Sequence, residues 1–148
     1  MLEGLIIILG LIIDRVTKLW AMGDNVKAGI DVIEGFFTFE YLENRGAAFG
    51  IFQNKLFFLT IFTIIIVTGI IIFIIKKKPK HLVLRTSLAL IISGALGNLY
   101  DRVVYKFVVD FIQVHYKDIY YFPTFNVADM LVVVGTFLLA ICIIKEWE

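Results

Sequence analysis

The 148 residues amount to one ordinary domain by length, and 60 % of them are hydrophobic, against roughly 45–50 % in soluble chains. The formal charge of +1 comes from 14 basic and 13 acidic residues, and no basic stripe marks a nucleic-acid surface. The single Cys142 excludes an intrachain disulfide framework and any cysteine-rich metal centre.

With a mean hydropathy of +0.91 and long apolar runs, the chain reads as a bilayer protein. Residues 2–22 are long enough to cross, although Asp14, Arg15 and Lys18 interrupt their second half. A cleaved signal peptide fits poorly, because no basic stretch precedes the run and no small-x-small site follows it. The reading is a retained first helix whose far end is functional. Residues 24–50 differ in character: 30–42 are β-branched and aromatic, broken by Gly35, and predict a short strand or hairpin.

Residues 56–75 carry no charge and suffice to cross a hydrocarbon core of roughly 30 Å. They end at the basic turn Lys76-Lys77-Lys78-Pro79-Lys80. Residues 82–99 form another span, with only Arg85 near its start. Residues 105–125 are aromatic-rich, and their 107–112 part is either extended or an amphipathic piece on the membrane. Residues 127–144 form the last span, with Asp129 near its start. His81 and His115 lie far apart, without metal-ligand spacing.

Four spans place both termini on the side of the basic turn. The positive-inside rule makes that side cytoplasmic. Only six of the 14 Lys and Arg fall there, but they are the dense ones. Asp14, Lys18, Asn44, Arg45, Asn98, Asp101, Arg102, Asp110, Asn126 and Asp129 all gather on the opposite side. A carboxylate within a span costs about 2.5–3.5 kcal/mol on insertion scales, so acids converging from separate segments suggest a polar site just inside the membrane surface.

Most of these residues also have an ordinary reading. Asp14 and Lys18 have the spacing of a helical ion pair, and Asn126 and Asp129 that of an N-cap and its N3 acid. Asp101-Arg102 suits an interfacial pair, and the glycines and alanines near them suit close helix packing. Asp110 is the exception. Within Val108-Val109-Asp110-Phe111-Ile112 it has no capping position, and apolar neighbours desolvate it. Desolvation raises a carboxyl pKa, and a second carboxylate nearby raises one of the pair further. Two acids sharing a proton perform aspartic-protease chemistry. No Ser/His or Cys/His constellation competes.

At these residues the chain resembles the bacterial lipoprotein signal peptidases, the signal peptidase II family. Five blocks in order carry the resemblance: Asp14-Arg15-Val16-Thr17-Lys18, Asn44-Arg45-Gly46-Ala47-Ala48-Phe49-Gly50, Gly94-Ala95-Leu96-Gly97-Asn98-Leu99-Tyr100-Asp101-Arg102, Val108-Val109-Asp110-Phe111-Ile112 and Phe125-Asn126-Val127-Ala128-Asp129. The resemblance implies that Asp110 and Asp129 are the catalytic dyad, with Asp101 in support. It implies that Asn98 and Asn126 orient the dyad and its water, and that Asn44 and Arg102 hold the substrate backbone. Asp14 and Lys18 would be a structural or substrate-orienting pair. Arg15 stands where the family usually has glutamine.

The resemblance further implies one peptidase domain over residues 1–148. Its fold would be a mainly α, four-transmembrane-helix bundle with a small extracytoplasmic β region, the β-cradle. The enzyme would use no cofactor or metal. It would act as a monomer in the bacterial cytoplasmic membrane, among membrane lipids, with both termini cytoplasmic. The site would lie near the extracytoplasmic face. The substrate would be a diacylglyceryl-modified prolipoprotein, cut just before the lipidated cysteine. The alternatives are an ion- or proton-coupled membrane transporter, a metal-dependent hydrolase using Asp101, Asp110 and Asp129, and a non-catalytic scaffold. A carrier needs a site near the midplane, whereas these acids gather at one face.

Overall fold

The computed structural model describes residues 2–46, 55–117 and 119–147. The chain runs α1 (Leu2–Ala21), α2 (Asp24–Lys27), β1 (Ile30–Ile33), β2 (Phe37–Asn44), α3 (Leu56–Lys77), α4 (Leu82–Val104), β3 (Val108–Tyr116), β4 (Tyr120–Tyr121) and α5 (Val127–Ile144). The molecule is thus mainly helical, with a small antiparallel sheet. By length and composition α3, α4 and α5 can each cross a membrane. Helix α1 is long enough but carries Glu3, Asp14, Arg15 and Lys18.

Helix α4 is the central pillar, packed against α1, α3 and α5. Small residues allow the closest approach. A Cβ on Gly94 would overlap the Ala128 carbonyl oxygen of α5 and press on Val132. At the end remote from the sheet, Arg85 of α4 grips Glu3 of α1 with two bonds of 2.6 and 3.0 Å. Helix α3 rests mainly on α4 and leaves Phe57, Phe58, Phe62 and Ile65 exposed. It stops where Lys78 adopts a left-handed conformation, φ 48°, just before Pro79, whose ring cannot continue a helix.

The third span runs past the expected residue 99 to Val104. A helix in apolar surroundings keeps its backbone bonds, and the Tyr105 N–H still donates to the Asp101 carbonyl at 2.7 Å. Asp101 and Arg102 therefore stand on the helix, one turn above Asn98. Helix α3 continues two residues past 75, because Lys76 and Lys77 suit the negative end of its dipole. Helix α1 ends one residue before 22, and α5 has the expected bounds.

The sheet order is β1-β2-β3-β4, with every neighbour antiparallel. Residues 105–125 are therefore the source of two strands, and the 107–112 part is extended. Gly35, at φ 72°, makes the β1–β2 turn possible. Between Phe39↔Ile112 and Leu42↔Asp110 the register shifts, an extra β2 residue that bends the strand beside Asp110. Trp20 at the end of α1 meets Phe39 and Phe111 edge-on, with centroids 5.1 and 6.0 Å apart, and these rings seat the sheet on the helices.

Candidate active site

Asp110 lies on β3 and is 1 % exposed, because the strand is covered by α1 and α4 on one side and by the 122–126 segment on another. That segment is drawn in by the backbone. The Phe111 and Ile112 N–H groups donate to the Phe125 carbonyl, and the Phe125 N–H donates to the Ile112 carbonyl. The pairing delivers Asn126 to Asp110, and its Nδ2 donates to Asp110 Oδ1 at 2.6 Å. From the other side Asn44 Nδ2 donates to Asp110 Oδ2 at 2.8 Å.

Asn126 is also the N-cap of α5. Its side-chain oxygen accepts the Asp129 N–H at 2.9 Å, while Asp129 Oδ2 accepts the Asn126 N–H at 3.1 Å, a reciprocal capping box. Asn98 Nδ2 donates to Asp129 Oδ1 at 2.7 Å. Asn126 thus touches both carboxylates, Asp110 through its side chain and Asp129 through its main-chain N–H, and Asn98 fixes the other oxygen of Asp129.

Burial pushes the Asp110 carboxyl up to about 7, and the charge of Asp129 pushes the same way, against the Asn44 and Asn126 donors and Lys18. Proximity and desolvation together make the two acids a pair whose charges oppose one another.

Behind the pair lies a buried ionic layer. Lys18, 0 % exposed, donates to Asp14 Oδ2 at 3.1 Å, Asp101 Oδ2 at 2.9 Å and Asn98 Oδ1 at 2.9 Å. All three of its protons are placed. Each of its acids in turn holds a main-chain N–H. Asp101 Oδ2 accepts from Val109 and Asp14 Oδ1 from Ala128, both at 3.1 Å. Val109 precedes Asp110 and Ala128 precedes Asp129, so the layer grips the chain one residue before each acid of the pair.

In front, Asp110 and Asp129 open on a cavity of about 720 Å³ that Asn44, Asn98 and Arg102 also line. Much of its lining is apolar, built from Phe62 and Ile66 of α3, Ile91 of α4, and Val132 and Val133 of α5. Thr63 is a rare polar group along it, and its hydroxyl is turned back to the Leu59 carbonyl. The cavity therefore brings two acids together with an apolar trough able to take aliphatic chains.

Residues 6–145 match the family profile described as Signal peptidase (SPase) II. The chain belongs to the signal peptidase II family. Similar proteins named lipoprotein signal peptidase include one from Clostridium novyi, 56 % identical over 98 % of this chain and 99 % of that one. Another is from Clostridium tetani, 54 % identical over 98 % and 94 %. Among solved structures, a bacterial membrane enzyme determined in meso at 2.3 Å matches with a TM-score of 0.86 and 35 % identity, covering 97 % of this chain and 88 % of that one. A second, at 1.9 Å, gives 0.84 and 37 %, covering 97 % and 93 %. The chain is a multi-pass membrane peptidase.

All nine residues singled out in the sequence for the signal peptidase II site converge on this end of the molecule. Asp110, Asp129, Asn44, Asn98 and Arg102 reach the cavity. Asn126 bridges the two acids, while Asp14, Lys18 and Asp101 stand behind. Asn44, expected to hold substrate, spends its amide on Asp110 and its oxygen on the Gly46 N–H. The Asp14–Lys18 pair and the Asn126–Asp129 cap both form, so their ordinary readings hold alongside any functional one. Residues 47–50 of the second block lie outside the described residues.

Sequence reading missed the partner of Arg15, whose Nη1 donates to Asp101 Oδ1 at 2.8 Å. The available signal was a charge count, since two buried acids with one lysine leave a negative remainder. It also missed the two main-chain N–H contacts, which no side-chain pattern announces.

Proposed function

We propose that this chain is an aspartyl endopeptidase that removes signal peptides from diacylglyceryl-modified prolipoproteins, cutting just before the lipidated cysteine. Asp110 and Asp129 are its dyad. The observation that carries the reading is the pair of carboxylates from separate elements, joined by Asn126 and lining a largely apolar cavity. In the reaction, the ionised member takes a proton from water as the water oxygen bonds to the scissile carbonyl carbon. The protonated member donates to the carbonyl oxygen. Collapse of the tetrahedral intermediate breaks the C–N bond, and the departing nitrogen takes up a proton from the dyad. Asn98, Asn126 and Asn44 fix the acids, Arg102 faces the substrate backbone, and the trough receives signal-peptide side chains and acyl groups.

The same reading makes residues 1–148 one peptidase domain with four transmembrane helices. Helix α1 supports this by being inside out, since Asp14 and Lys18 are buried while Leu5, Ile8, Leu9, Ile12 and Ile13 are exposed, the arrangement lipid favours. The sheet is then the extracytoplasmic cradle over the site. Both termini are cytoplasmic beside the lysine turn, and the enzyme works as a monomer in the bacterial inner membrane.

The test is cleavage of a diacylglyceryl-modified prolipoprotein by purified protein in detergent. Asp110→Asn and Asp129→Asn should each lower kcat by at least about 10³-fold in folded protein, and EDTA should change nothing. Cleavage that survives both substitutions would overturn the dyad. Loss with EDTA would point instead to a metal-dependent hydrolase.

A further inference from the structure

Arg15 sits on α1 between the two members of the Asp14–Lys18 pair and takes the Asp101 oxygen that Lys18 leaves open. Its Nη1 donates to Asp101 Oδ1 at 2.8 Å. Its guanidinium lies over the rings of Tyr100 and Tyr105, 5.1 and 5.4 Å from their centroids. Nε and Nη2 are buried and make no hydrogen bond. Two buried donors left unbonded are a cost, so the contact to Asp101 must return something.

Charge shows what it returns. Asp14 and Asp101 are 2 % and 0 % exposed, and Lys18 supplies one positive charge for both. Without Arg15 the layer would carry an uncompensated negative charge in a low-dielectric interior, next to a dyad that already has too much of it. Geometry adds a second return. Asp101 Oδ2 holds Lys18 and the Val109 N–H, and a carboxylate pinned at Oδ1 cannot swing Oδ2 away from them.

We infer that Arg15 is a positioning residue for the cleavage reaction: it neutralises the buried acids behind the dyad and locks Asp101 onto the Val109 N–H, and so holds Asp110 in place. This rests on the reading of Asp110 and Asp129 as the dyad. The charged groups around Asp101 and the dyad are Asp14, Arg15 and Lys18 from α1. Tyr41 of β2 feels Asp101, and Arg102 of α4 shares the cavity with Asp110 and Asp129.

Removing one positive charge from this set makes both dyad acids harder to ionise. Arg15→Gln should therefore move both limbs of the pH profile of kcat/KM in the alkaline direction, by about half a unit to one unit. Arg15→Lys, which keeps the charge, should leave the limbs in place. Hydrogen exchange at the Val109 amide should quicken at least about tenfold in Arg15→Gln, because its acceptor is no longer fixed.

A Gln variant whose profile superimposes on wild type overturns the inference, however slow the variant is. A Lys variant displaced as far as the Gln one overturns it as well. If wild type does not cleave the prolipoprotein, the proposed function fails, while Val109 exchange still decides whether Arg15 fixes Asp101. Unchanged exchange in the Gln variant then removes the positioning role too.

Discussion

Asp110 is the residue at which folding and chemistry pull against each other. Burial and Asp129 push its carboxyl up to about 7, so the folded protein holds a proton that the unfolded chain releases near pH 4. Between those values the native state binds more protons, and stability falls as pH rises through the window. The melting temperature of wild type in detergent should accordingly drop between pH 5 and pH 8. Most of that slope should vanish in Asp110→Asn, which cannot ionise. An equal slope in the variant would place the burial cost elsewhere. In the sequence this acid was legible because nothing ordinary explained it. Arg15 was not, because its role is to balance a partner 86 positions away.

At the scale of elements, the α4–α5 contact sets the spacing of Asn98 and Asp129, and Gly94 allows it. Gly94→Ala should cost about 1–3 kcal/mol through overpacking and should reduce kcat, since the Ala128 carbonyl it displaces belongs to the turn that carries Asp129. Gly69→Ala on α3, where an added Cβ meets nothing within 4 Å, should leave melting and cleavage unchanged. Comparing the two by thermal melting and initial rates separates helix packing from a general intolerance of alanine. The helices were legible because apolar runs, a basic turn with proline and the Asn126–Asp129 cap are local signals. The strand pairing was not. β2 and β3 are more than sixty residues apart, and their register is set by the Trp20–Phe39–Phe111 packing and by the extra β2 residue, neither of which has a local signature. The bounds of α4 were missed because a charged pair reads as a helix end, whereas Asp101 is satisfied on the helix itself by Arg15, Lys18 and the Val109 N–H.

For the molecule as a whole, α1, α4 and α5 form a packed trio, and α3 leans on it across the trough. Volume in the trough should govern substrate binding more than chemistry. Ile66→Trp, which fills it from the α3 side, should raise KM by about tenfold with kcat nearly kept, as read from initial rates over a substrate series. A fall in kcat at unchanged KM would mean that substrate does not enter there. That all nine site residues reach one end of the molecule followed from counting spans. Which of them face the cavity did not, since Asp14 and Asp101 are acids of the same kind as Asp110 and differ from it only in what covers them.

Asn126 begins helix α5 and also ties together the two acids proposed as the dyad, and Asp129 closes the same cap. A drug that mimics the tetrahedral intermediate would bind groups that the fold also needs. A substitution there that loosened the drug would also unwind the start of α5. Resistance would then have to arise in the apolar trough, at positions such as Ile66 or Val133, where side chains can change without harm to the fold. An inhibitor that draws most of its affinity from the polar groups, and little from the trough, would leave a bacterium few ways to escape it.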